Sequence, residues 1–126
     1  MKKLFISCPM KNRSEENIRM TFDRLHKIAE AVYGESLEVI PTYIEDNPPK
    51  CRTEGLWYLG KSIELLAQAD YFIGICGDNA FQYNGSTVEN DAKLYGVPVY
   101  LVPTVFAAPD AAKEELVYNG AGELID

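Results

Sequence analysis

Histidine and cysteine are scarce in this chain, and where they fall argues against several chemistries. A single histidine, His26, would have to serve any Ser-His-Asp or Cys-His arrangement, and nothing around it supports that role. It stands off the apolar stripe of its segment and is expected to be an exposed helix residue. The three cysteines, Cys8, Cys51 and Cys76, contain no C-x-x-C pair, which fits neither a disulfide framework nor a zinc site. Cys8 and Cys76 close apolar runs, so buried reduced thiols are expected at both. The acidic pair Glu45 and Asp46 lacks metal-ligand spacing, and neither a metal nor a cofactor is predicted. No apolar run reaches the length of a membrane span or a signal-peptide core, so a cytoplasmic protein without a membrane partner is expected. Basic residues are outnumbered, 12 against 19 acidic, for a formal net charge of −7. That balance favours solubility and argues against nucleic acid as a partner. It leaves room for a small phosphorylated ligand, because one helix N-terminus can hold a phosphate within an acidic protein.

The remaining composition is that of an ordinary globular chain, with 47% hydrophobic and 25% charged residues over 126 positions. That length suits one domain spanning residues 1–126, with a core that needs no staple. Leu4-Phe5-Ile6 reads as a buried strand halted before Pro9. Ser14 is a good N-cap, and Glu15 and Glu16 suit the positive end of a helix. Ile18, Phe22, Leu25, Ile28, Ala29 and Val32 recur at helical spacing until Gly34 ends the run. Leu37 to Ile40 is a second strand stopped by Pro41, and 42–53 a long loop with Pro48 and Pro49. Leu56, Leu59, Ile63, Leu66 and Ala67 mark a second helix, and Tyr71 to Cys76 a third strand. A third helix runs from Gly85-Ser86-Thr87 to about Gly96, and Val97 to Val102 is a fourth strand. Ala111 to Val117 suggests a further short helix.

Strands apolar on both faces, alternating with helices, predict an α/β fold. The expected form is a doubly wound (Rossmann-like or flavodoxin-like) parallel sheet of four to five strands flanked by helices. In the order 2-1-3-4 strands 1 and 3 are neighbours, and ligands bind beyond the carboxyl ends of strands where that order reverses. The topology thus directs attention to the loops after Cys8 and Cys76.

In the first loop, Ser7, Pro9, Met10, Lys11 and Arg13 are candidates for binding a substrate, with free backbone N–H groups and two cations for a phosphate or a ribose hydroxyl. An ordinary connection with solvated basic residues would look the same. In the second, Asp78, Asn79, Tyr83, Gly85 and Ser86 are candidates, with Gly85 allowing close backbone approach and Tyr83 and Phe81 placed to stack on a base. Tyr43, Trp57 and Tyr58 offer further rings, although core packing explains them equally. Glu89 falls about one turn inside the third helix, where a carboxylate can act as nucleophile or general base on an anomeric carbon. It can also simply complement the helix dipole.

Leu4-Phe5-Ile6-Ser7-Cys8-Pro9-Met10, the strand start at Ala69-Asp70, Gly85-Ser86-Thr87-Val88-Glu89 with Ala92, and Gly96-Val97-Pro98-Val99 occur in that order. As an ordered set they resemble the nucleoside 2-deoxyribosyltransferase superfamily, which includes the 2'-deoxynucleoside 5'-phosphate N-hydrolases, and within it a DUF4406-like branch. The resemblance covers about the first hundred residues. It implies that Glu89 attacks C1' and expels the base, that Ser7 and the loop after it hold the sugar or its 5'-phosphate, and that subunits of a homo-oligomer complete one another's sites. It also implies a nucleoside or nucleotide as the small-molecule partner. Three features depart from the pattern. The transferases place an aspartate where this chain has Tyr83, the N-hydrolases place one where it has Ser62, and the glycine-rich first loop is replaced by Cys8-Pro9-Met10. Asp78 or Asp91 is then left to orient the sugar, or the chain is a nucleotide-binding module without catalysis.

Overall fold

The computed structural model describes residues 1–8, 13–42, 47–76 and 85–110. Strand and helix alternate through them as β1 (Lys2–Ile6), α1 (Glu15–Tyr33), β2 (Leu37–Val39), α2 (Glu54–Leu66), β3 (Tyr71–Cys76), α3 (Gly85–Leu94), β4 (Val99–Pro103) and the short α4 (Thr104–Ala107). The strands form one sheet in the order β2-β1-β3-β4, and all three pairings are parallel. The expected α/β architecture and strand order are therefore present, with β1 and β3 adjacent at the point where the order reverses. Their ladder runs from Leu4 opposite Tyr71 to Ile6 opposite Ile73, and the Ser7 N–H extends it by donating to the Ile73 carbonyl at 2.9 Å.

The two-residue period of each strand divides its side chains between two cores. Leu4, Ile6, Ile73 and Ile75 point to one face, where Leu25 and Ala29 of α1 and Ala107 and Ala108 around α4 cover them. Phe5 and Phe72 point to the other face and stack at 5.5 Å, covered by Leu66 of α2 and by Val88 and Ala92 of α3. Both faces are thus sealed by helices, which is why the strand sequences are apolar without alternation.

Helix α1 is bounded as its ends predict. The Asn17 N–H donates to Ser14 Oγ at 3.1 Å, and Gly34 closes the helix in the left-handed region with φ 74°. Several expectations need correction. Val32 and Leu56 stand on the apolar stripes of their helices in the sequence but are exposed. Cys76, the last residue of β3, is exposed rather than buried; Cys8 is buried as expected. His26 is half-buried, with Nε2 2.9 Å from the Leu37 carbonyl and 3.4 Å from Glu30, and so ties α1 to the start of β2. The helix expected over 111–117 lies outside the described residues; α4 stands just before it.

Candidate functional site at the carboxyl edge of the sheet

Three features bring the strand ends together at the carboxyl edge. Ser7 is buried at the end of β1 against β3. The Thr42 hydroxyl donates to the Ile6 carbonyl at 3.3 Å, drawing the start of the β2–α2 connection beside β1. The buried Thr104 hydroxyl donates to the Cys76 carbonyl at 3.1 Å, which fastens α4 to the end of β3.

The Arg13 guanidinium is turned inward. Nε and Nη2 meet the Asp110 carboxylate at 2.8 and 2.9 Å, a bidentate ion pair. Nη2 also donates to Thr21 Oγ1 at 2.7 Å and to the Asn17 carbonyl at 3.2 Å, while Nη1 lies 3.5 Å from Cys8 Sγ. Only 4% of the Arg13 side chain is exposed, so it is neither a solvated loop residue nor a cation presented to solvent. Burial works against its charge, yet the Asp110 hydrogen bond and the neighbouring Cys8 outweigh that and the pKa rises. Burial raises Cys8 to about 11, with the Arg13 charge pulling the other way.

Glu89 stands in the first half of α3, the helix that leaves β3 at the same edge. Its side chain is 24% exposed, and Oε2 accepts from Lys93 Nζ at 3.0 Å one turn further along. Val88 and Ala92 carry the buried side of the helix, which leaves Glu89 at the margin between core and solvent. Asp91 is two positions on, about 200° around the helix from Glu89. It lines a groove of about 560 Å³ with Ala69, Leu94, Tyr95 and Val97, away from the carboxyl edge. The structure therefore does not bring Asp91 and Glu89 together. Ser62 is half-buried within α2.

Gly85 opens α3 and Ser86 follows it. Pro9, Met10, Lys11, Asp78, Asn79 and Tyr83 lie outside the described residues, as do Tyr43 and Phe81. Trp57 and Tyr58 meet edge to face at 5.0 Å near the start of α2, and Lys61 Nζ lies 5.5 Å from the Trp57 ring centre. Among the described residues, no cluster of three His, Cys, Asp or Glu side chains is placed to hold a metal ion, and no helix is long and apolar enough to cross a membrane.

Two features went unnoticed in the sequence. One is Asp110 as the partner of Arg13, 97 positions away, a separation at which no local pattern gives a signal. The other is an apolar groove of about 420 Å³ between Ile18 and Phe22 of α1 and Val39 to Pro41, opening beside Thr42.

No family model matches the chain, and no curated protein sequence does. Its fold is similar to the solved structure of a 2-deoxyribosyltransferase from the psychrotolerant bacterium Bacillus psychrosaccharolyticus. The TM-score is 0.53 at 17% identity, covering 81% of this chain and 72% of that one.

Proposed function

We propose that this chain acts on the N-glycosidic bond of a nucleoside or nucleotide in the cytoplasm, with Glu89 as the nucleophile. The observation that carries this reading is the position of Glu89. In a sheet with the fold of a 2-deoxyribosyltransferase, it stands on the helix that leaves β3, next to the strand whose end carries Ser7. The Glu89 carboxylate would attack C1' as the C1'–N bond breaks; the base leaves with that electron pair and takes up a proton. The resulting glycosyl ester is then resolved by water, giving the free sugar, or by a second base, giving a new nucleoside. Ser7, Pro9, Met10 and Lys11 supply the sugar or phosphate side of this site, and Asp78, Asn79, Tyr83, Gly85 and Ser86 the base side. The chain is placed in the DUF4406-like branch on the ordered set of motifs in its first hundred residues, and a homo-oligomer would let a second copy contribute the acid that Tyr83 and Ser62 replace.

A panel of nucleosides and their monophosphates, with and without an acceptor base, tests the reaction by chromatography of the released base. Release or exchange is expected from at least one 2'-deoxy compound, and Glu89→Gln should lower it by roughly 10³-fold or more, the scale of losing a nucleophile. No free base across the panel would overturn the catalytic reading.

One observation favours a second reading, a nucleotide-binding module that does not catalyse. Glu89 is held by Lys93, and a carboxylate neutralised by an ammonium is a weaker nucleophile. That reading predicts a rise in melting temperature with some mono-, di- or cyclic nucleotide and no turnover.

A further inference from the structure

The two strands that flank the reversal point are joined on the α1 face by a continuous bridge of side-chain contacts. From the end of β1 it runs through Cys8 Sγ to Arg13 Nη1 at 3.5 Å, and from Arg13 to Asp110 at 2.8 and 2.9 Å. Asp110 belongs to the segment that begins at Thr104, whose hydroxyl holds the Cys76 carbonyl at the end of β3. Ala107 and Ala108 are fully buried in the same core cluster as Cys8, so this segment is packed against the sheet. Arg24 Nη1 adds a donation to the Ala107 carbonyl at 3.4 Å. The Arg13 guanidinium is also fixed to α1 through Thr21 and the Asn17 carbonyl.

Cys8 and Arg13 are the described residues on either side of positions 9–12. The same guanidinium therefore ties the end of β1, through the Cys8 sulfur, to α1, through Thr21 and the Asn17 carbonyl. A lysine could carry the charge, but only a planar fork can serve Asp110 with two bonds while also reaching Thr21 and Cys8. An arginine there to grip a ligand would present its fork to solvent; this one is 4% exposed.

We propose that Arg13 is a positioning residue of the site and not a ligand contact. With Asp110 it clamps the end of β1, where Ser7 stands, to α1 and to the 104–110 segment. The clamp itself rests on geometry alone, while its role toward substrate rests on the nucleoside reading above.

The test compares the native protein with Asp110→Asn, Asp110→Glu and Arg13→Lys, each checked for native circular dichroism. Iodoacetamide alkylation of Cys8 is followed by peptide mass spectrometry, with the exposed Cys51 and Cys76 as internal references. KM and kcat for base release are measured on the substrate the panel identifies, or, without turnover, the Kd of the nucleotide that raises the melting temperature. Asp110→Asn and Arg13→Lys are expected to speed Cys8 alkylation by about tenfold or more through local opening, leaving Cys51 unchanged. They should raise KM or Kd by about tenfold with kcat kept within about twofold, since a displaced end of β1 weakens binding at Ser7 while Glu89 is untouched. Asp110→Glu should recover most of both effects. Unchanged Cys8 alkylation overturns the clamp. Faster alkylation with unchanged KM or Kd overturns the positioning role and leaves a purely structural bridge. A native protein that neither binds nor cleaves any nucleotide overturns the nucleoside reading, and the positioning role with it, while the alkylation arm still decides whether the clamp exists.

Discussion

At Gly74, in the middle of β3, an added methyl group would stand 2.9 Å from Phe72 Cε1 and 3.4 Å from a Leu101 methyl. Phe72 is fully buried and stacked nearly parallel on Phe5, with 8° between the rings, so the ring edge has nowhere to go. Gly74→Ala should therefore destabilise the fold by about 1–3 kcal/mol, the usual cost of overpacking. Urea denaturation would show it as a lower midpoint at unchanged slope. Cys8 gives a second prediction at this scale. Its thiol is raised from 9.0 to about 11 by burial, so the folded state holds its proton over a range where the unfolded chain has lost it. Stability from this group is complete below pH 9 and is lost as pH rises through 11, because the unfolded chain then binds fewer protons. Two units correspond to about 2–3 kcal/mol. Burial also raises Tyr33, which adds a contribution of the same sign. Unfolding free energies from pH 8 to 11 should fall more steeply in the native protein than in Cys8→Ala; parallel curves would remove Cys8 as a cause.

At the scale of the element, α1 shows which signals a sequence carries. Ser14 caps it through one bond to the Asn17 N–H, so Ser14→Ala should cost about 1 kcal/mol and Ser14→Gly only a few tenths. Thermal melts of the two variants check this, and no loss in either would mean that the hydroxyl contributes nothing. The caps, the strand runs and the order of elements were legible because each is written in neighbouring residues: Leu4 to Ile6 and Phe72 to Ile75 are apolar throughout because helices cover both sides. What depends on distant partners was not legible. Thr21 is fully buried on α1, and reads as a polar surface residue until its bonds to Arg13 and to the Asn17 carbonyl are seen. Cys76 closes the apolar run of β3 and Leu56 stands on the apolar stripe of α2, yet both are exposed, because which end of an element is covered is set by packing partners elsewhere in the chain. The four residues of α4 are too few to show a period.

For the whole molecule, topology directs attention to the carboxyl edge before any side-chain chemistry does. A parallel sheet with β1 beside β3 sends consecutive crossovers to opposite sides, and the loops that part there leave a crevice at the carboxyl edge. Ser7 and Glu89 are expected at that edge on topological grounds, and the structure sets the first at the end of β1 and the second on the helix after β3. The state of the Glu89 carboxylate was not written in the spacing, because the i,i+4 pair with Lys93 could equally have remained open.

That pair provides a discriminating prediction. Glu89 is 24% and Lys93 54% exposed, so solvent screens their attraction and the pair contributes at most about 0.5 kcal/mol to stability. Lys93→Met should hardly move the melting temperature. Its effect on base release is a different matter. If Glu89 is the nucleophile and the ammonium only shields it, removing an interaction of at most about 0.5 kcal/mol from the ground state should raise the rate by about twofold at most. If Lys93 instead aims the carboxylate at C1', the variant should lose rate by about tenfold or more, since orientation contributes more to the barrier than a screened pair. Should neither Lys93→Met nor Glu89→Gln alter a measured turnover, the reaction centre is not on this face of α3. A nucleotide affinity that rises in Glu89→Gln with no turnover in either protein would favour the binding module, in which the carboxylate opposes an anionic ligand and Lys93 offsets part of that repulsion.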